Sequence, residues 1–558
     1  MNLHEQNLKN QLFTRSSKLK NTPSIPLSHK AVESVKYLFL ASLATIFLVE
    51  LGLSFDWRVR GDSVYIHYVA YLINEHGFVP YRDLFEINMP GTYLFHIAIG
   101  KMFGYSDYAL RMVNIAWLTA TFVVTWFIMK SFGRVTAFAS CLLFGIIYLG
   151  FGPYMSLQRD FIAILPIATA LLLTTWRKPN HSVNLIHFLH GVLFAFVALI
   201  KPHLIIGLPA MIVYNCIHDT NGLKSIKKLI KPFIVGGLFA LLGFLLTLII
   251  PFLWLWRIGA LQAFWDIFSS YTPLYAQMSG DLKFRETFSH VMNTLNSYTH
   301  FKKLGILLMA SIFGVYIVLT KSISVATKKL SILLLLLSIL YAASAGIGGK
   351  LWFYHLVPYM YFASLGTAIV LYSPPLFAKL YRPNILPLLV FIVASTPVLR
   401  YSVFQQIVIK SKTPYELSAE IRQDEIAAYL NAHMLPNDKV QPLSWVGGTL
   451  EAMLASKAIL ATPYIAELQF YHHVSNPYIQ NLREDFMTKL EAEMPRFIVD
   501  VYAYPISGLD VTYEFPELKA FIKQHYDKDY TGNDFDIFRR NGQQPLSPTG
   551  LRGLKSSD

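Results

Sequence analysis

Eleven apolar runs, most of them long enough to cross a bilayer, leave this chain few folds to choose from. They lie near 37–55, 109–129, 135–152, 161–176, 187–200, 203–217, 233–256, 304–320, 330–346, 351–372 and 384–401. A hydrocarbon layer of about 30 Å offers no water to backbone groups, so runs of this kind become helices that satisfy their own hydrogen bonds. The pair between 187 and 217 is short for a span. Composition agrees: 54% of the 558 residues are hydrophobic and only 15% are charged, where a soluble domain carries about 25%.

The net charge of +14 would suit a nucleic-acid binder, but its distribution argues against one. Residues 405–558 hold 15 Lys+Arg and 20 Asp+Glu, while 1–404 hold 33 and 14. A basic excess confined to the apolar part reports topology. With the N-terminus inside, the cytoplasmic segments are 1–36, 130–134, 177–186, 218–232, 321–329 and 373–383. They carry 19 Lys/Arg against Glu5, Glu33 and Asp219 alone. An odd number of spans then exports the C-terminal region. The first 36 residues are polar and basic with no cleavable signal, so 37–55 reads as a retained anchor. Cys141 and Cys216 both fall in apolar runs, which leaves no disulfide framework.

These features predict a polytopic α-helical membrane protein of about eleven spans with a soluble α/β domain at its C-terminal end. The expected parts are a cytoplasmic N-terminus (1–36), a membrane domain (37–404), an outer domain (405–540) and a disordered tail (541–558). Two long external loops, 56–108 and 257–303, mix aromatic and polar residues at helical spacing and read as helices lying in the interface plane. From 405 the pattern changes. "DEIAAYLNAHML", "PYIQNLREDFMTKLEAEM" and "ELKAFIKQHY" have helical periodicity, and "KVQPLSWV", "RFIVDVYAY" and "FDIFRR" read as strands. That domain carries no catalytic constellation, and acceptor docking or partner binding is its expected work.

The first external loop opens at Asp62 and continues as "PYRDLFEINMPGTYLFHIAIGKMFG". "QRDFIAILPIATALLL" and "GVLFAFVALIKPHLIIGLP" follow further on. This order of parts resembles the bacterial polyprenyl-phosphate-dependent glycosyltransferases of the GT-C fold, whose relatives include protein O-mannosyltransferases and lipid A aminoarabinose transferases. The resemblance covers roughly 55–210. At the place where many relatives have Lys-Pro-Pro, this chain has Asn88-Met89-Pro90.

The resemblance implies an inner-membrane enzyme that moves a monosaccharide from a polyprenyl-phosphate-sugar donor to a periplasmic acceptor, with inversion. An acid at the position of Asp62 acts as the base in that family. The chemistry of the residues fits: such a transfer needs a base for the acceptor hydroxyl and cations for the departing phosphate. Asp160, in "MSLQRDF", is the second candidate acid, able to face Asp62 or pair with Arg159. Glu86 and Asn88 are candidates for sugar hydroxyls, while Arg82 and Asp83 are expected to pair with each other. Lys201 and His203, in "LIKPHLII", stand at a break between apolar segments, where an idle charge is expensive. A lipid phosphate accounts for them, as does snorkelling to the interface. Lys350 in "GIGGKLWFYHLVP" presents the same case, with Tyr354 and His355 close behind. Helix capping is the competing account of Asp62 and Asp160.

No Walker loop, His-Glu-x-x-His motif or Cys/His cluster occurs. Asp62 with Asp160 is a donor set for Mg²⁺ or Mn²⁺, although carboxylate count alone decides nothing. A transporter or flippase is the chief rival reading, against which stand the acids at span ends on one face and the lack of an internal repeat. A non-catalytic envelope scaffold is the second. The topology has a direct check. A reporter active only outside the cytoplasm, fused after Arg540, is expected to be active; a signal from a cytoplasm-only reporter there would overturn the orientation.

Overall fold

In the computed structural model, residues 29–176, 182–219, 227–278, 289, 304–347, 352–372, 385–401, 414–502 and 508–542 are described. Lys350 and the tail from 543 lie outside the described residues. Each of the eleven apolar runs is helical where described. Among the described residues, five helices are long and apolar enough to cross a membrane: Lys30–Asp56, Asp107–Phe132, Leu229–Arg257, Val325–Gly346 and Phe353–Leu371. Five more are apolar but shorter, 134–149, 183–198, 202–217, 305–320 and 386–399.

The first helix, α1 (His29–Leu53), begins before Tyr37. Its polar first turns are held by a Lys36–Glu33 ion pair at 2.6 Å, an i,i+3 pair on one helix face. The run near 161–176 is divided into a four-residue helix, Arg159–Ile162, and a longer one, Ile164–Thr175. At the centre of the bundle, Val357–Ala368 is buried along its whole length. By contrast, Lys227–Arg257 leaves Leu238, Leu242, Leu245 and Ile249 exposed at helical spacing. An apolar stripe of that length is stable against lipid and not against water.

The first external loop folds into α2 (Asp62–His76) and α3 (Pro90–Phe103), and the second begins with Leu261–Gln277. Pro90 stands at the first helical position of α3, where its missing N–H costs nothing. Gly91 abuts the chain at Leu199: a Cβ there would lie 2.7 Å from the Leu199 carbonyl oxygen. That contact brings the loop residues before Pro90 against the break that holds Lys201.

Beyond 414 the chain forms a five-stranded sheet in the order β2-β1-β3-β5-β4. The strands are β1 (Lys439–Pro442), β2 (Ile459–Leu460), β3 (Phe497–Val501), β4 (Tyr526–Gly532) and β5 (Phe535–Arg540). β1 is parallel to β2 and β3, and β5 is antiparallel to β3 and β4. Buried residues of this unit share one apolar core with those of α2 and Leu261–Gln277. Backbone and side-chain bonds fasten the joint: Phe85 N–H to the Pro463 carbonyl (2.8 Å), Tyr68 Oη to that of Ala458 (2.9 Å), and Tyr271 Oη with His472 Nε2 (3.0 Å).

Arg60, 2% exposed, lies between Glu451 (3.4 Å) and Glu420 (3.6 Å) of this C-terminal unit. Removing one partner of a buried pair leaves the other charge without compensation. Arg60→Met is therefore expected to lower stability by about 3 kcal/mol, read as a drop in thermal unfolding temperature. Adding Glu451→Gln should restore part of it; a double variant no better than the single would deny the coupling.

Candidate active site

Asp62, Asn88 and Arg159 come together in a cleft, open to solvent, between the external loops and the C-terminal unit. Its walls also include Tyr65, Phe85, Tyr271 and Tyr275 from the membrane domain, and Trp445, Leu468 and Gln469 from the C-terminal side.

Asp62 is the first residue of α2 and follows Gly61, whose φ of 68° turns the chain sharply into the helix. No side chain caps this helix. The carboxylate instead accepts from Arg159 Nη2 at 2.9 Å and from Tyr354 Oη at 3.1 Å, both on Oδ2. Arg159 also donates to the Asn88 side-chain oxygen. Asn88 is fixed in turn by Tyr81, whose hydroxyl donates to the Asn88 carbonyl at 2.6 Å.

The neighbouring Asp160 goes elsewhere. It is fully buried, and its Oδ2 pairs with Lys201 Nζ at 2.5 Å. The charge of Lys201 is thus answered by a protein carboxylate. Lys201 also lies 5.7 Å from the ring centre of Tyr354, so the two ion pairs touch through that tyrosine. His203 is half-buried on the 202–207 turn just beyond. His355 is buried beside Tyr354, with ring centres 4.7 Å apart and planes at 89°.

Glu86 lies behind the cleft wall, 1% exposed, where its two oxygens accept from Tyr65 (2.6 Å) and Tyr93. In this arrangement it is linked to the cleft wall through Tyr65 and Asn88. Burial pushes its carboxyl up to about 7 against the pull of these hydrogen bonds. Arg82 and Asp83 pair with each other at 2.8 Å on the exposed side of the loop.

The metal site considered from the sequence is not assembled among the described residues. Asp62 and Asp160 are each engaged by a side-chain cation. No group of three or more His, Cys, Asp or Glu residues is placed to hold an ion. Asp160 Oδ1 is buried with no hydrogen-bond partner among the described residues, but one oxygen is not a donor set.

The sequence alone did not point to Asn114, Trp445 or Gln469. Asn114, in the Asp107–Met129 helix, accepts from Tyr148 Oη (2.5 Å) and from the Leu157 N–H (3.1 Å). It thereby holds the turn at Leu157, whose φ is +49°, that presents Arg159. A buried amide in a spanning run is the signal that was available. Trp445 and Gln469 gave no signal, because nothing in their local pattern says which surface they face.

No family model matches the chain, and no curated protein matches it in sequence. Its structure is similar to crystal structures of ArnT from Cupriavidus metallidurans. The form bound to undecaprenyl phosphate aligns with a TM-score of 0.55 at 12% identity, over 90% of this chain and 97% of the other. The apo form gives 0.54 at 11% identity, over 90% and 98%. The chain has the GT-C fold of ArnT. At such identity the likeness is one of fold, and the work of each side chain has to be read from its own surroundings.

The position of Glu86 has a measurable consequence. Its carboxyl keeps its proton up to about pH 7 in the folded chain, against an ordinary value of 4.5. The stability this contributes is complete below the unfolded value and is lost as pH rises through the folded one. Thermal stability should fall between about pH 5 and pH 7 and level off above, and Glu86→Gln should flatten that slope. A variant with an unchanged slope would mean that Glu86 is ionised throughout.

Proposed function

We propose that this chain is a membrane glycosyltransferase that moves a monosaccharide from a polyprenyl-phosphate carrier to the hydroxyl of a periplasmic glycan, lipid or protein, at the cleft around Asp62. The observation that carries this reading is the Tyr354–Asp62–Arg159–Asn88 chain of hydrogen bonds at the wall of an aromatic cleft. The structural likeness to a protein crystallised with undecaprenyl phosphate supports the donor class.

In a single displacement the acceptor oxygen forms its bond to the anomeric carbon as the bond from that carbon to the phosphate oxygen breaks. The phosphate leaves with the electron pair and stays on the polyprenyl chain, and the configuration inverts. Asp62 takes the acceptor proton. Its Oδ2 is occupied by Arg159 and Tyr354, so Oδ1 is the oxygen assigned to the proton. Those two bonds hold the carboxylate in one orientation, which is what a general base needs before substrate arrives.

Arg159 lines the cleft, and its guanidinium can meet the charge that develops on the departing phosphate. It is bonded to Asn88, the residue at the place of the lysine of Lys-Pro-Pro relatives, so the cation comes to that spot from a different loop. Lys201 and Asp160 form a neutral pair behind it and act as positioning residues for Tyr354 and Arg159. The aromatic walls keep bulk water from the donor, which limits hydrolysis. On the charge asymmetry of the loops, the cleft faces the periplasm from the inner membrane.

Asp62→Asn keeps size and retains an oxygen for Arg159, but it cannot accept a proton. It is expected to fold, to bind undecaprenyl phosphate as the parent does, and to lose roughly 10²–10⁴-fold in transfer rate. Near-normal transfer would remove Asp62 from the role of base. Arg159→Ala, by contrast, should weaken undecaprenyl phosphate binding itself.

A further inference from the structure

The C-terminal unit turns a particular edge towards the cleft. β1 lies between β2 and β3 and is parallel to both. The chain leaves β1 through the Thr449–Ala455 helix to reach β2 on one side, then returns through Pro477–Glu493 to β3 on the other. The loops at the carboxyl ends of parallel strands are the usual ligand position in open α/β sheets. The loops that follow β1 and β2 are the ones that reach the cleft, with Trp445 from the first and Ala466, Leu468 and Gln469 from the second.

Both loops are built to a fixed shape. Glu467, in the second, accepts on Oε2 from the Trp445 N–H at 3.1 Å and on Oε1 from Ser444 Oγ at 3.4 Å, so one buried carboxylate ties them together. The first ends in Gly447 and Gly448, with φ of 74° and 104°. A Cβ on Gly448 would lie 2.4 Å from the Ala419 carbonyl oxygen, so the turn admits no side chain there. Arg422 Nε donates to the Gly447 carbonyl at 2.8 Å. Trp445 itself is half-buried and meets Tyr65 edge-on, with ring centres 5.5 Å apart and planes at 80°.

A large indole held in place at the wall of an open cleft, beside a buried amide, matches the needs of a sugar ring. The ring's C–H face packs on the aromatic surface, and its rim hydroxyls need donors and acceptors. We propose that the carboxyl edge of the C-terminal unit forms the acceptor subsite of the cleft, a carbohydrate-binding surface with Trp445 as its platform, Gln469 as its polar contact and Glu467 as the positioning residue. This rests on the transferase reading, and it narrows the acceptor to one that presents a saccharide at the reacting end.

The test uses the full chain in nanodiscs and two kinds of probe: undecaprenyl phosphate, and a panel of soluble mono- and disaccharides including glucosamine-containing ones. Binding is followed by calorimetry and saturation-transfer NMR. At least one saccharide is expected to bind the parent, with affinity reduced roughly tenfold by Trp445→Ala and largely kept in Trp445→Phe. Glu467→Gln should weaken the same saccharide while leaving undecaprenyl phosphate unaffected. The proposal is overturned if no saccharide binds, if Trp445→Ala binds as well as the parent, or if that variant loses undecaprenyl phosphate instead. Failure of the parent to bind undecaprenyl phosphate while saccharide binding persists would count against the donor reading alone.

Discussion

Arg159 and Asp160 are neighbours in sequence with opposite charges, and their divergence organises the site. They begin a four-residue helix, and successive helical residues point about 100° apart. One therefore faces the cleft and meets Asp62 while the other faces the bundle and meets Lys201. Neither aspartate nor either cation is left unpaired in a low-dielectric setting, where an isolated charge would be prohibitive. The cost of separating these charges holds the loop before the Ile164–Thr175 helix, the break at Lys201 and the start of α2 in one geometry. Tyr354, at the head of the fully buried central helix, joins the two pairs.

The same arrangement explains why a membrane domain needs the C-terminal unit. α2 and Leu261–Gln277 are short amphipathic elements outside the bundle, and neither can bury its apolar face alone. Their cover is the sheet domain, which shares their core and places Arg60 between two of its glutamates. The cleft is the gap that remains where the two bodies do not touch. Its inner wall carries the acid and the cation, and its outer wall carries an indole and an amide. An acid and an indole facing one cleft from two separate stretches of chain is an arrangement that only docking can produce.

Several features were open to reading along the chain. Apolar runs specified helices, because helix formation in such runs depends on local composition against a fixed solvent. Asp62 stood out as an acid directly after a span, and the alternation beyond 405 announced strands and helices. Lys201 stands out in the sequence as a costly charge at a break between apolar segments, but nothing local names Asp160 as its partner. Asp160 lies forty-one residues away, and periodicity says which face of a helix a residue occupies, not which other helix will meet that face.

What the sequence determined by itself, then, was which segments are apolar helices and which types of group stand at their ends. Burial in lipid and the positive-inside bias are sums over many residues, so they survive any detail of packing. Only the tertiary structure decided pairings: Arg159 with Asp62, Lys201 with Asp160, Glu86 withdrawn behind Tyr65, and Trp445 brought opposite the acid from far along the chain. Each depends on a few ångströms of helix rotation or domain docking. Hydrogen bonds and ion pairs fall away over that distance, and no local pattern records it.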